Sequence, residues 1–486
     1  MFFYLIKFLY ILDINNIIEL IKRVEQLEAK LEKQERVIVK QEQIIVKQEQ
    51  IIQNLRNENT YFKDRLAKYE TRKNSNNSSI PPSKDENRPV RKSLREKTGR
   101  KPGGQIGRKG NNFKMLDTVD EIKEHSPEYC QCCGNDLSDI SKKFHRKRQV
   151  IEIPKIRIKV IEHHLYKKVC SCGHIALGTF PDEANAPVSY GNNISSLIGY
   201  LHTRQYIPFK RLEEILKDVF NVPISEGGIH HLLGKLVNKA VPAYDLIKQK
   251  LLSKNQGSIG TDETGVKVLG KKHWAWTWQS DKATFITITD NRAGKSIEDS
   301  FPDGFKNSVL VHDCWKSHFN TNAISHQICM AHLLRDLNYL TELYGHKWSK
   351  ICKNLFKTAL NLKSEMKKED YYNKNPKRIT IEKRLDRLLE YKLDSKYKEI
   401  ISFQNRLVKY KDYIFNFLYY PNVPPDNNAS ERAIRNIKVK QKISGQFKSA
   451  IGAFNFAVLR SITDTAIKNN QNVLNCLKII SNLHSD

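Results

Sequence analysis

Between Ile17 and Glu70 the chain contains neither Gly nor Pro, and its apolar residues return every seven positions. Leu20, Val24, Leu27, Leu31, Ile38, Ile45, Ile52, Leu55, Phe62, Leu66 and Tyr69 fall on one heptad register, with Gln34, Gln41 and Gln48 at core positions of it. A near-perfect repeat lies inside: QERVIVK, QEQIIVK, QEQIIQN. An apolar stripe sustained over this many heptads argues a coiled coil. The stretch therefore predicts a coiled coil within residues 1–70 and self-association into a homo-oligomer. Gln at core positions costs stability but can set partner number and register. The competing arrangement, a helix packed on its own globular part, is disfavoured by the length.

A chain of 486 residues has room for two or more domains. Its 82 Lys and Arg against 53 Asp and Glu leave a net charge of +29. That excess predicts a polyanionic partner, most simply nucleic acid, rather than a merely soluble basic protein. The opening MFFYLIKFLYIL is about half the ~20 residues of a membrane span, and Lys7 interrupts it. It reads as an apolar helix start, which predicts no membrane association and a cytoplasmic, nucleoid-associated protein.

Residues 71–114 break every period. From Lys84 to Lys114 eleven basic residues face three acids, among Asn, Ser, Pro and Gly. Such a segment buries too little to fold alone. It predicts a flexible arm laid along phosphates through Arg100, Lys101, Arg108 and Lys109, where Gly lets the backbone approach closely. A solvated tether is the plainer alternative.

Residues 115–185 suggest a small zinc module. Cys130 and Cys133 form one chelating turn; Cys170 and Cys172, followed by Gly173, form another. Zn²⁺ takes four such ligands in a tetrahedron. The second pair has one residue between its cysteines instead of two, which leaves Cys132, His163, His164 and His174 as substitutes. Between the pairs, QVIEIPKIRIKVIEHHLYKK alternates like two strands. Clustered reduced thiols without metal are the alternative.

Residues 186–250 are helical, and VFNVPISEGGIHHLL reads as helix, turn, Ser225 cap, helix. That is a helix-turn-helix pattern, with the second helix offered to a major groove. From residue 256 the period changes to two. SIGTDETGVKVLG, KKHWAWTWQS and KATFITITD predict an antiparallel meander, AGKSIEDSF a short helix, SVLVHDCW a strand, and HQICMAHL a strand running into a helix. Trp274, Trp276 and Trp278 share one face, for core packing rather than for stacking on bases. Residues 336–420 are helical and Lys-rich. The fold class is a multidomain α+β chain, with one domain split into a strand-bearing part at 251–335 and a part at 421–486 that holds the Glu431 helix and the C-terminal helices.

Asp262 and Asp313 each end an apolar β-run, and Glu431 opens a helix that carries six Lys or Arg before Lys448 is passed and no other acid. Three converging carboxylates resist joint ionisation unless cations neutralise them. Hard oxygen ligands select Mg²⁺ or Mn²⁺, and a two-ion site suits in-line phosphoryl displacement. Taken singly, Asp262 caps a turn and yields the chemistry to Glu263, Asp313 is a turn residue, and Glu431 pairs with Arg435.

These stretches carry a resemblance. NSSIPPSKD, GGQIGRKG, TDETGVKV, HDCWKSHF, ICMAHLLRDL and NNASERAIRNIKVKQKISGQFKS resemble the insertion-sequence-66 family of bacterial transposases over nearly the whole length. The resemblance implies an RNase H-like catalytic domain with an α-helical insertion and an Asp-Asp-Glu triad at Asp262, Asp313 and Glu431. It further implies Mg²⁺ or Mn²⁺ at the triad, and DNA as partner, both the element's terminal inverted repeats and the target. Other element-encoded proteins are potential further partners. Cys329, His332 and Arg335 match a family Cys-x-x-His with its following basic residue, as supports for the site or as DNA contacts. Arg432, Arg435, Lys438, Lys440 and Lys442 become the phosphate grip. The rival reading is a DNA-binding remnant or accessory protein without catalysis.

Overall fold

The computed structural model describes residues 2–74, 77–78, 85, 107, 114–253 and 257–483. The basic arm, with Arg100, Lys101, Arg108 and Lys109, lies outside them. In chain order the elements are α1 (Phe2–Glu70), β1 (Lys167–Val169), β2 (Ile175–Leu177), α2 (Asn192–Thr203), α3 (Phe209–Phe220), α4 (Glu226–Leu252), β3 (Gly257–Val268), β4 (Lys271–Gln279), β5 (Thr284–Thr289), α5 (Gly294–Ser300), β6 (Phe305–His312), α6 (Lys316–Phe319), β7 (Ala323–Ile328), α7 (Met330–Tyr344), α8 (Lys347–Glu365), α9 (Pro376–Glu390), α10 (Lys398–Lys409), α11 (Asn428–Ser444), α12 (Ala450–Lys468) and α13 (Val473–Ser481). They divide into two units, each described by itself.

The first unit joins residues 1–88 to residues 332–357 and 382–406. α1 is one helix of 69 residues, and its heptad side chains from Leu20 to Tyr69 are exposed. Near its end Lys68 Nζ pairs with Glu399 at 2.6 Å, and Asn77 Nδ2 donates to Glu342 Oε2 at 2.6 Å. The helical part buries Leu337, Trp348, Cys352, Leu385 and Phe403. Trp348 Nε1 and Gln404 Nε2 both donate to the Leu388 carbonyl, at 2.9 Å each, which closes one turn on the other. No helix among the described residues is long and apolar enough to cross a membrane.

The second unit holds a five-stranded sheet in the order β5-β4-β3-β6-β7. β3, β4 and β5 form an antiparallel meander; β6 and β7 run parallel to β3. The period-2 residues divide the sheet into two faces. On one, Ile259, Trp276, Trp278 and Phe285 pack with Leu236 and Val237 of α4. On the other, Val266, Val268, Ala275 and Ile286 pack with Ile437 of α11 and Phe456 of α12. Trp276 and Trp278 are 0% and 1% exposed, so they are core, as the pattern predicts.

α3 and α4 are joined by a turn in which Asn221 takes a left-handed conformation, φ +56°, and Ser225 Oγ caps α4 by accepting from Gly228 N at 3.2 Å. α4 packs on α2, α3 and α12 along most of its length, leaving His230, His231 and Lys235 outward.

Residues 114–183 differ. They are exposed except at Cys130, Leu137 and Gln149. The two long strands expected between the cysteine pairs do not form; only β1 and β2 pair, over three residues each. Alternation alone is not enough, because an isolated two-stranded ribbon is marginal without a core to cover it.

Candidate active site

β3 and β6 are neighbours in register, Gly260 beside Val311. Asp262 and Asp313 therefore each stand two residues beyond a matched pair, Asp262 within β3 and Asp313 one residue past the end of β6. Asp262 lies across from Thr277 on β4, on the face where Val266 and Ala275 pack against α11. Glu431 sits in the first turn of α11.

That first turn is fastened to β3. Asn427 Nδ2 donates to the Thr261 carbonyl at 2.6 Å, and Ser430 Oγ donates to Asn427 Oδ1 at 2.6 Å. Asn427 N donates to Cys329 Sγ at 3.2 Å, and Met330 N to Pro425 O at 2.9 Å. The approach is so close that a Cβ on Gly260 would lie 2.7 Å from Ser430 Oγ. Gly in IGTDET is thus required by the seating of NNASE.

The electrostatics follow from this convergence. The Asp262 carboxyl is held well above the usual carboxylate range, first by burial, then by the negative charges of Glu263, Asp313 and Glu431. Glu263 is raised too, by burial first, while His318 and Arg292 oppose the shift. Arg435 lies 3.9 Å from Glu431 and is largely exposed, so it neutralises little.

Glu263 faces the tryptophan side. Arg292 Nε donates to Glu263 Oε1 at 2.7 Å, and its guanidinium lies 5.0 Å and 4.6 Å from the ring centres of Trp274 and Trp315. His318, 1% exposed, sets one ring nitrogen 3.5 Å from Glu263 Oε2 and the other 3.5 Å from Asp313 Oδ1. Behind it His312 Nε2 meets His326 Nδ1 at 3.1 Å. Burial holds His312 well below the usual imidazole range and His326 down to about 4. Among the described residues, His312, Asp313 and His318 are the one group of three or more potential metal ligands gathered within 4.8 Å. The oxygens of Asp262, Asp313 and Glu431 are hard donors of the kind that suit a divalent cation, whereas Glu263 is taken up by Arg292 on the other face.

Glu263 was an alternative to Asp262 in the sequence; the structure shows both, turned to opposite faces. His318 is marked in the sequence only by SHF in HDCWKSHF, Asn427 and Ser430 only by NNAS before Glu431, and Arg292 by neither stretch.

The basic run behind Glu431 needs correction. Arg432, Arg435 and Lys442 are exposed. Lys438 is half-buried and donates to the Gly265 carbonyl. Lys440 is buried, its Nζ 3.3 Å from His202 Nε2, and burial brings it down to about 8. Lys440 follows Ala433 and Ile437 on the inward stripe of α11, so it faces the core rather than phosphate. Cys329 is buried at the start of α7, on which His332 and Arg335 are half-buried.

In the cysteine module each turn has a common form. Gly134 N donates to Cys130 O at 2.8 Å and Gly173 N to Cys170 O at 2.9 Å, with both glycines at positive φ, +76° and +84°. Backbone N–H groups of Cys133 and Cys132 draw the Cys130 thiol below its usual range; that of Cys172 does so for Cys170. Lowered thiols in tight turns fit zinc. Among the described residues the two turns are not gathered into a single cluster.

A mixed five-stranded sheet with Asp262 on its central strand, preceded by an exposed cysteine module, defines the class in outline as a multidomain α+β protein. The comparisons make it specific: the chain belongs to the IS66 transposase family. The family model described as "Transposase IS66 family" matches residues 187–455, more than half of the chain. That of the zinc-finger binding domain of transposase IS66 matches residues 127–173. No curated protein matches the chain. The protein is a mobile-element transposase with a zinc-finger region.

Proposed function

We propose that the protein is an Asp-Asp-Glu transposase with an RNase H-like catalytic domain, which cleaves the ends of its own element and joins the 3′ ends to target DNA. Asp262, Asp313 and Glu431 would hold Mg²⁺ or Mn²⁺. Such ions, when bound, activate the attacking oxygen and steady the leaving one. The chain's own part is to hold three carboxylates in one place. Asn427 and Ser430 seat the Glu431 helix on β3, and His318 bridges Asp313 to Glu263. Exposed Arg432, Arg435 and Lys442 would face phosphate. Cys130, Cys133, Cys170 and Cys172 would close around Zn²⁺, and the α3–α4 pair would serve as the helix-turn-helix that helps read the element ends.

The observation that carries this reading is geometric: Asn427 and Ser430 seat the first turn of α11, with Glu431, against β3 beside Asp262, and Asp313 follows the neighbouring β6. Asp313 and Glu431 are acids 51 and 169 residues further along the chain than Asp262. A protein that only bound DNA would gain nothing from gathering them. The strand order, with one antiparallel strand among parallel neighbours, supports the same reading. The test is Asp313→Ala in a divalent-metal assay on element-end DNA. Strand cleavage should fall by about 10³-fold or more, the scale of removing essential active-site groups, while binding to the ends is kept. Full cleavage by that variant would sink the assignment.

A further inference from the structure

The heptad stripe of α1 is uncovered: Leu27, Ile38, Ile45, Leu55 and Phe62 are each more than half exposed. We infer that its occupant is a second copy of α1, parallel and in register, in a two-stranded coiled coil. Three features of the helix select this arrangement over the others.

The first is the choice of core residues. Val24, Ile38, Ile45 and Ile52, with Leu31 and Leu66, occupy one seam position of the heptad, and Leu20, Leu27 and Leu55, with Phe62, Tyr69 and the three Gln, the other. β-Branched residues at the first with leucine at the second favour two parallel strands. The second is Asn59, which falls on the β-branched seam position. A lone Asn there meets its own copy only when two helices run parallel and unshifted, and it fixes register for that reason.

The third is charge. In a parallel pair each residue just before a seam position faces the residue five further on in the other copy. Arg23 then meets Glu28, Lys30 meets Glu35, Glu58 meets Lys63, and Arg65 meets Glu70. All four charged pairs attract. An antiparallel pair centred on the repeat would keep Glu28 against Lys63 and Glu35 against Arg56 but set Glu42 against Glu49 and Lys30 against Arg65, so only half of its charged pairs attract. In the middle, where Gln34, Gln41 and Gln48 weaken the seam, the flanking positions are Val37, Ile44 and Ile51 and widen its apolar area.

Parallel pairing brings the two Glu70 ends together, so both basic arms begin at one end of the coil. Given the transposase reading, on which this consequence rests, a single dimer can then take two element ends at once.

The test uses the full chain and needs no DNA, so its result stands apart from any cleavage result. Sedimentation velocity should give twice the 56.5 kDa chain mass. One variant carries Glu28→Lys and Glu35→Lys; another carries Arg23→Glu and Lys30→Glu. Each alone sets like charges face to face and should run as monomer where the unaltered chain is dimeric. Mixed in equal amounts they should recover the dimer, because both sets of pairs become attractive. A monomeric or threefold mass for the unaltered chain, dimers of either variant alone, or no recovery on mixing would overturn the inference.

Discussion

The sheet around Asp262 and the cysteine module of residues 114–183 both carry groups suited to metal, yet they are built by opposite means. Around Asp262 the backbone does the work: β3 and β6 in register, a glycine that lets α11 touch the sheet, and two side chains that lock its first turn. α11 is thereby brought onto the sheet with Glu431 in its first turn, and the Asp262 carboxyl is raised, first by burial and then by the charges of Glu263, Asp313 and Glu431. In the cysteine module almost every residue is exposed, Val150 and Ile153 among them at 91% and 78%. Each turn is formed, but nothing apolar joins one turn to the other. Small modules that cannot bury a core depend on a metal to supply the missing cohesion. On the proposed reading the Asp262 site would be prepared for its ion by the fold, and the cysteine module would acquire its fold from the ion.

Removing zinc should therefore separate the two regions, and this is the largest effect expected. Structural zinc contributes on the order of 10 kcal/mol to small modules of this kind. A strong chelator should abolish hydrogen-exchange protection in residues 127–173 and leave the protection of β3, β4 and β6 unchanged. Cys130→Ser should do the same without chelator. Protection that persists in a protein shown by elemental analysis to be zinc-free would break the comparison at its weaker side.

The converse test loosens the prepared site. Asn427→Ala removes the donor to the Thr261 carbonyl and the acceptor for Ser430. A displacement of α11 by as little as 1 Å can cost about 10²-fold in rate, and a lost buried hydrogen bond costs about 1–3 kcal/mol. Single-turnover cleavage should drop by about that factor, with a lowered Tm but retained binding to the element ends. Gly260→Val should act in the same direction through the Ser430 contact. If either variant loses stability while its cleavage rate is kept, the latch has no part in placing Glu431.

What could be read in advance divides along the same line. Alternating runs located β3 and β6, although β3 continues past Asp262 to Val268, and the Ser225 cap located α4, because each signal is local. The alternation of QVIEIPKIRIKVIEHHLYKK was read as paired strands and was not, since pairing needs a covering core that the segment lacks. His318, Arg292 and Asn427 escaped notice because their partners, Glu263 and Thr261, lie from 29 to 166 residues away. Lys440 was legible and was misread. It sits seven residues after Ala433 and three after Ile437, on the buried stripe, but counting charge along the run concealed its phase.

That lysine supplies the smallest effect. Its folded pKa is lowered to about 8 from 10.5 by burial, so above pH 8 the folded chain sheds a proton that the unfolded chain keeps until about 10.5. The contribution of Lys440 to stability is unfavourable below pH 8 and is relieved as pH rises from 8 toward 10.5. His202 beside it is lowered to about 3, chiefly by burial, so its own contribution is favourable to folding at high pH and lost as pH falls from 6.5 toward 3. Lys440→Met removes the buried charge and should raise stability near pH 7 by on the order of 2 kcal/mol. The gain should shrink as pH approaches 10, read as ΔTm between variant and parent across pH 7 to 10. A difference that stays constant over that range would mean that Lys440 reaches solvent, and would return it to the phosphate-facing set with Arg432, Arg435 and Lys442.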